Sequence, residues 1–472
     1  MKIFSLFFLL FVSLTTTQTF AATFTVTTNT DTGTGSLRAA VASANAAVGD
    51  DIIIFSAGIT TVTLASEIII TNNGALTIVG KGANALTIDG GPGTNRIFTV
   101  TGATVTIIDV TLSGGNGTGA AVFADGGTLI LDTVVVQNNA GNDNAGAINL
   151  NGGTNHRIAN TTISGNTGFV FCAAIYAFGS PLTVVNTTVS GNTMTSEIGA
   201  ICVLQTTATF RNTTISGNTA SGTGGAGGGG IFIQDSSTVN LGNTIVAGNS
   251  SGGSGPDLHI LDGTSIFTTS GGNLIGDNSG GANPNTTAFP TSNPTGNPNV
   301  NGDKVGTTGS TINPMLDTLQ INGGTTPTRA LMTGSPAINA GVNALATAAD
   351  LTTDQRGAGF ARIVGAAVDT GAFEVQLGAT AAAVGVGGRV TTAKGIGIQN
   401  VIVTMTDSEG NIRITHSTSL GYYRFDSVTA GETYVLSARG KRYNFTEQTQ
   451  VRSINEETND VDFIGYSERV FR

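Results

Sequence analysis

Apolar residues recur along this chain in short runs, broken by Gly, Asn, Ser and Thr rather than by charges. AIYAF at 174–178 alternates, a GSP turn follows, LTVV runs over 182–185, and NTTVSGN closes the unit. The same order then returns with a fixed metre. NTTISGN stands at Asn160–Asn166 and Asn212–Asn218, each 26 residues from NTTVSGN at Asn186–Asn192. Degenerate copies, DTVVVQN from Asp132 and NTIVAGN from Asn243, extend the series. Val122, Ile148, Ile175, Ile201 and Ile231 form a second column, each preceded by Ala or Gly. A period of this size marks a repeat architecture. Three short strands rich in β-branched residues per period do not fit helical repeats. They predict an all-β chain in which each unit is one coil of a parallel β-helix, stacked ~4.8 Å on the next.

Stacking turns sequence columns into ladders. The Val122–Ile231 column is expected to point inward. Asn160, Asn186, Asn212 and Asn243 are expected to form an amide ladder at a bend. This reading is preferred to N-glycosylation, although the copies carry the Asn-x-Thr acceptor pattern. A second column, Asn138, Asn166, Asn192, Asn218 and Asn249, is expected at turns. Upstream, Ser36 can cap a short helix whose apolar face is Leu37, Ala40, Val41 and Ala44. Such a helix suits a cap over the first coil. The Gly-, Asn- and Pro-rich stretch from Ser251 to Thr311 predicts long projecting loops. After Gly388 the pattern changes to plain alternation with turns every 8–12 residues, VIVTMT, IRITHSTS, YYRFDSV and ETYVLSAR, which predicts a small antiparallel β-sandwich.

Composition narrows the function classes. The chain has 472 residues, a net charge of −10 and only 11 % charged residues. That balance disfavours nucleic acid and anionic membranes as partners. Lys2, an apolar run from Ile3 to Leu14, and small residues at Ala21 and Ala22 predict a secretory signal peptide cleaved near Ala21 or Ala22. The run is too short to cross ~30 Å of hydrocarbon, and no membrane span is expected in the mature chain. The expected organisation is a signal peptide over 1–22, a β-helix over 23–376, a linker over 377–387, a sandwich over 388–466 and a tail over 467–472. Localisation is expected to be secreted or cell-surface, and the chain monomeric. Of the two cysteines, Cys202 follows its inward column residue by one position and Cys172 precedes its own by three. Four strand positions are ~13 Å, so two buried free thiols are expected rather than a bridge.

The entry segment TFTVTTNTDTGTGSLRAAVASAN resembles that of bacterial surface β-helix proteins with a Cys-Ser-Leu-Arg-Glu-Ala motif. Ser36, Leu37, Arg38 and Ala40 match, while Gly35 stands for the Cys and Ala39 for the Glu. GSPAINAG (334–341), TDQRG (353–357) and VDTGAFE (368–374) resemble the closing segment of the same proteins, the choice-of-anchor Q group of the pectate-lyase-like class. The resemblance implies a right-handed helix over about 23–376 and leaves activity open. The stretch from Gly388 to Phe445 resembles the carboxypeptidase-regulatory-like fold, a transthyretin-like Ig-type module that implies a spacer or interaction role.

The pectate-lyase-like class includes polysaccharide lyases and hydrolases, so the resemblance raises the possibility of a catalytic constellation on the coils. Arg157 and Arg211 are the only arginines between 97 and 328 and fall at different phases of the coil. His156, in the coils, has no acidic neighbour at its phase. Asp143 and Glu197 form the best carboxylate pair, two coils apart, ~10 Å, near the range for inverting glycosidases, although solvated turn residues explain them as well. Phe123, Tyr176 and Phe232 fall one position after the inward column and are expected to face outward. Spaced aromatics on that face could stack on sugar rings. No cofactor or metal is expected; calcium is weakly suggested by Asn29–Gly33 and Asp407–Asn411, which lack acidic density. The leading expectation is a structural or adhesive protein whose partners are extracellular polysaccharide or a surface protein. The alternative is a polysaccharide lyase or glycoside hydrolase with a divergent site.

Overall fold

The structure is a computed structural model that describes residues 21–467, apart from 73, 94, 143–144, 196–197, 223–226, 281–285, 377–382, 408–409, 431 and 455. The chain divides into two compact units after Gln376.

The first unit is a right-handed parallel β-solenoid of about 10 turns. One coil runs through Ile175–Phe178, Leu182–Val185 and Thr188–Ser190, and each strand pairs in parallel with its equivalents above and below. Three long sheets result, called first, second and third in that order. Within each strand alternate side chains enter the core, so Val122, Ile148, Ile175, Ile201 and Ile231 stack in one buried column. The expected inward ladder is therefore present. The bend between second and third sheets requires a left-handed residue, a conformation that Asn and Asp tolerate best among residues with a side chain. Asp109, Asn160, Asn186, Asn212 and Asn243 occupy it, with φ between 47 and 57°.

Helix α1, Leu37–Ala46, covers the first coil as expected. Ser36 accepts a hydrogen bond from the Ala39 N–H, and Leu37, Ala40, Val41 and Ala44 are the buried face. Arg38 fastens this cap: its guanidinium donates to the carbonyls of Ser66 and Glu67 and pairs with Asp31 at 2.7 Å. Asp31, within the first stretch considered for calcium, is thus engaged by an arginine.

The stretch expected to be loops is partly regular. Leu258–Ile260, Ile266–Thr269, Leu274–Ile275 and Lys304–Val305 add further strands to the coils. These short segments lie inside polar sequence and are selected by stacking on the coil before rather than by propensity.

Residues 313–376 then run back along the third sheet. They include a hairpin of Leu316–Gln320 with Thr328–Leu331 and the short helix α2, Asn343–Ala348. The repeat threonines receive this strap. The Gln355 amide donates to Thr162 Oγ1 at 2.8 Å, and its carbonyl oxygen accepts from Thr188 Oγ1 at 2.6 Å. The Ala372 N–H donates to Thr214 Oγ1 at 3.0 Å. One side-chain column thus fixes the strap over three successive coils.

The second unit has two four-stranded sheets around a core that includes Val386, Val403, Tyr423, Phe425, Leu436 and Phe463. Its first strand, Ala383–Thr392, begins inside the span expected to be linker. Strands pair antiparallel except for Val390–Thr392 against Phe463–Gly465, and Val386 makes an isolated parallel bridge to Thr458. Asp407 and Asn411 close the hairpin between Ile402–Thr406 and Ile412–His416, with the Asn411 N–H donating to Asp407 Oδ1 at 2.8 Å.

Candidate functional site

Three regions of the first unit are candidates for a site: the outer face of the first sheet, the buried side of the strap, and a cleft on the second sheet.

Phe123, Asn149, Tyr176, Cys202, Phe232 and His259 do form one register row on the outer face of the first sheet. The row is covered. Phe232 is 0 % and Tyr176 9 % exposed, within a satellite cluster that includes Ala145, Cys172, Cys202 and Leu204, packed by Phe171 and Ile198. Phe123 is half-buried under Arg96, whose guanidinium lies 4.8 Å from the ring centroid. The expected sugar-stacking stripe is therefore closed at Tyr176 and Phe232, because turn segments fold back over them, and only Phe123 keeps partial exposure beside Arg96.

Those same turns bring the cysteines together. Cys172 and Cys202 form a disulfide with Cα atoms 6.0 Å apart, which corrects the expectation of free thiols. The ~13 Å separation assumed an extended strand. The chain instead bends between Cys172 and Ile175, and Cys172 pairs with Ala145 of the preceding coil.

The asparagine columns behave differently from expectation. Of Asn160, Asn186, Asn212 and Asn243, only Asn186 donates to another member, Asn160 Oδ1 at 3.2 Å. Asn186 also donates to the Thr353 carbonyl, and Asn243 exchanges bonds with the Val342 backbone, so the strap engages the column instead. The Asn212 amide has no hydrogen-bond partner among the described residues. The unbroken ladder is the other column, Asn139, Asn166, Asn192, Asn218 and Asn249, whose first member is Asn139 rather than Asn138. At each step one Oδ1 accepts both the backbone and side-chain N–H of the residue in the coil before, at 2.9–3.1 Å. Asn249 ends the series on Asp257 Oδ1, at 2.9 Å through its side chain. Asp257 also accepts the Asp277 N–H. Burial, reinforced by the Asp277 charge, pushes the Asp257 carboxyl up to about 7 against these hydrogen bonds.

Both coil histidines are structural. His156 Nδ1 accepts the Leu129 N–H, leaving Nε2–H to face the Gly152 carbonyl at 2.9 Å, and burial lowers its pKa. His259, hidden from the sequence reading inside an expected loop, stacks on Phe232 with ring centroids 5.5 Å apart.

The strap motifs build a buried polar knot. Arg362 is 0 % exposed and pairs with Glu374 at 2.9 Å. Glu374 also accepts the Val364 and Asp369 N–H groups. Arg356 pairs with Asp354 at 2.6 Å and lies between the Phe360 and Phe373 rings, 3.9 and 3.8 Å from their centroids. Each of these charges is consumed in holding the closing segment.

The remaining feature is a cleft of about 710 Å³ between the second sheet and the segment 345–353. Arg157, Thr183, Thr209 and Arg211 form its floor, with Leu345 and Asp350 on the wall. Arg157 pairs in register with Thr183, and Thr183 with Thr209, two positions before Arg211. The two arginines lie at different strand positions, as the spacing indicated, yet they share one face and one cleft. Their Cα atoms stand about 12 Å apart.

Residues 95–279 match the family model of the right handed beta helix region. No curated protein matches the chain.

The matched span of the β-helix contains the asparagine ladder, the disulfide and the sheet half of the cleft, and its fold is consistent with the pectate-lyase-like class. Asp143 and Glu197, the expected carboxylate pair, lie outside the described residues. Among the described residues no group of His, Cys, Asp and Glu could hold a metal ion, and no helix is long and apolar enough to cross a membrane.

Proposed function

We propose that this β-helix is a secreted or cell-surface structural and adhesive protein that binds extracellular glycan without transforming it. The observation that carries the reading is the closed outer face of the first sheet. Tyr176, Cys202 and Phe232 of its register row pack into a disulfide-linked apolar layer, where a catalytic β-helix would need converging charged groups. The buried acids and arginines of the strap support the same reading, since each is engaged in fastening the coils. Export is supported by the Lys2 and Ile3–Leu14 leader pattern. The disulfide agrees with it, because such bonds persist in oxidising compartments. The C-terminal unit fits a spacer or interaction module.

The test is prolonged incubation of the mature chain with uronic-acid and neutral polysaccharides, following reducing ends and the absorbance of unsaturated products. No product is expected. Turnover abolished by Asp143→Ala or Glu197→Ala would establish the alternative, a lyase or hydrolase with a divergent site.

A further inference from the structure

We infer that the cleft on the second sheet binds the carboxylate groups of an acidic oligosaccharide, with Arg157 as the principal contact. The inference rests on the non-catalytic glycan-binding reading and assigns it a place and a ligand charge. It uses a different face from the first-sheet row.

Four observations lead there. First, the outer side of this sheet carries Arg157 and Arg211, the only arginines between 97 and 328, in a chain of net charge −10. Second, their engagement differs. Arg211 Nη1 donates to the Phe210 carbonyl at 2.9 Å and its Nη2 to Ser270 Oγ at 3.1 Å. Arg157 is half-buried, and its guanidinium makes no hydrogen bond or ion pair among the described residues. A guanidinium left uncommitted in a concave lining can give two parallel N–H bonds to a planar anion, as a carboxylate accepts them. Third, Thr183 and Thr209 lie in register with Arg157 on the same floor, offering hydroxyls to a polyhydroxylated ligand. Fourth, the cleft extends over several coils, and its arginines are about 12 Å apart, a span suited to a chain of sugar rings rather than to one small anion.

Asp350 is the one acidic side chain in the lining. It sits exposed on the wall and can accept sugar hydroxyls, while disfavouring ligands of very high anionic density. A uronic-acid oligomer with free hydroxyls therefore fits better than a densely sulfated chain.

The experiment is calorimetric titration of the full mature chain with tetragalacturonate, a neutral cello-oligosaccharide of the same length, and a heparin oligosaccharide. Arg157→Gln and, as a control in the second unit, Lys394→Gln are titrated alongside, with thermal unfolding checked for both. Tetragalacturonate is expected to bind best and to weaken with added salt. Arg157→Gln should weaken it by about tenfold or more, and Lys394→Gln should leave it unchanged. Arg157 has no internal partner, so its variant should unfold with the wild type. Equal affinity in Arg157→Gln, equal affinity for the neutral oligosaccharide, tighter binding of heparin, or no binding of tetragalacturonate overturns the assignment. Recovering the titrated ligand separates this test from the preceding one. A cleaved tetragalacturonate sinks the non-catalytic reading, whereas an intact ligand that ignores Arg157 sinks only the cleft.

Discussion

Asn249 and Asp257 meet through a 2.9 Å hydrogen bond that ends a ladder of five asparagines on a buried carboxyl. Unfolded, that carboxyl titrates near its ordinary 3.8; folded, burial holds it at about 7. Between those values the folded chain binds the extra proton. Its stabilising contribution is therefore complete below pH ~4 and lost as pH rises through 7. Burial also raises Asp303 and Asp369, in the same direction. The melting temperature should thus fall between about pH 5 and about pH 8. Asp257→Asn removes the acceptor for the Asp277 N–H, lowering stability at the acid end but making the fall shallower. An unchanged slope in that variant would contradict the assignment.

Asn192 and Asn212 share a sequence motif and differ in their bonds. Asn192 accepts two bonds through Oδ1 and donates to Asn218 Oδ1 and the Ile163 carbonyl. Asn192→Ala strands several buried groups and should cost about 3–5 kcal/mol. Asn212, with φ 48° and no amide partner among the described residues, acts through its backbone. Asn212→Gly keeps that conformation at no steric cost, so denaturant unfolding should show a change within about 1 kcal/mol.

The disulfide joins adjacent coils across 30 residues. Replacing both cysteines by Ala should cost about 3–4 kcal/mol, mostly by freeing the unfolded chain. Unfolding midpoints with and without reductant test this: reductant should lower the wild-type midpoint and leave the double variant unmoved. A wild-type midpoint insensitive to reductant would count against the bond.

The strap depends on a charge pair with no access to water. Arg362→Met leaves Glu374 buried beside Asp369 without its counter-charge. The loss should be about 3–5 kcal/mol. Limited proteolysis should then cut within 313–376 before the coils. Wild-type resistance in that variant would show that the knot does not fasten the strap.

The coils were legible because their register is written in the sequence: a 26-residue metre and one aliphatic column place Val122 over Ile148 and Ile175. The cap helix was legible from Ser36 and its apolar face. The turns were not. Whether Cys172 reaches Cys202, or whether Phe232 meets solvent, depends on how residues between strands fold back, and no period governs them. Nor could the metre decide between two asparagine columns, since both keep the same spacing. The bend residue places its amide toward the strap and the turn residue places its amide along the axis. The cleft joins Arg157 to Asp350 across nearly two hundred positions, a relation only the strap's path creates.

The most direct test of a binding, non-catalytic β-helix is mass spectrometry of an acidic oligosaccharide recovered from its complex with the mature chain. The ligand should co-elute with the protein and return at its original mass after long incubation. Shortened chains, or products lighter by water with a new unsaturation, would contradict that account.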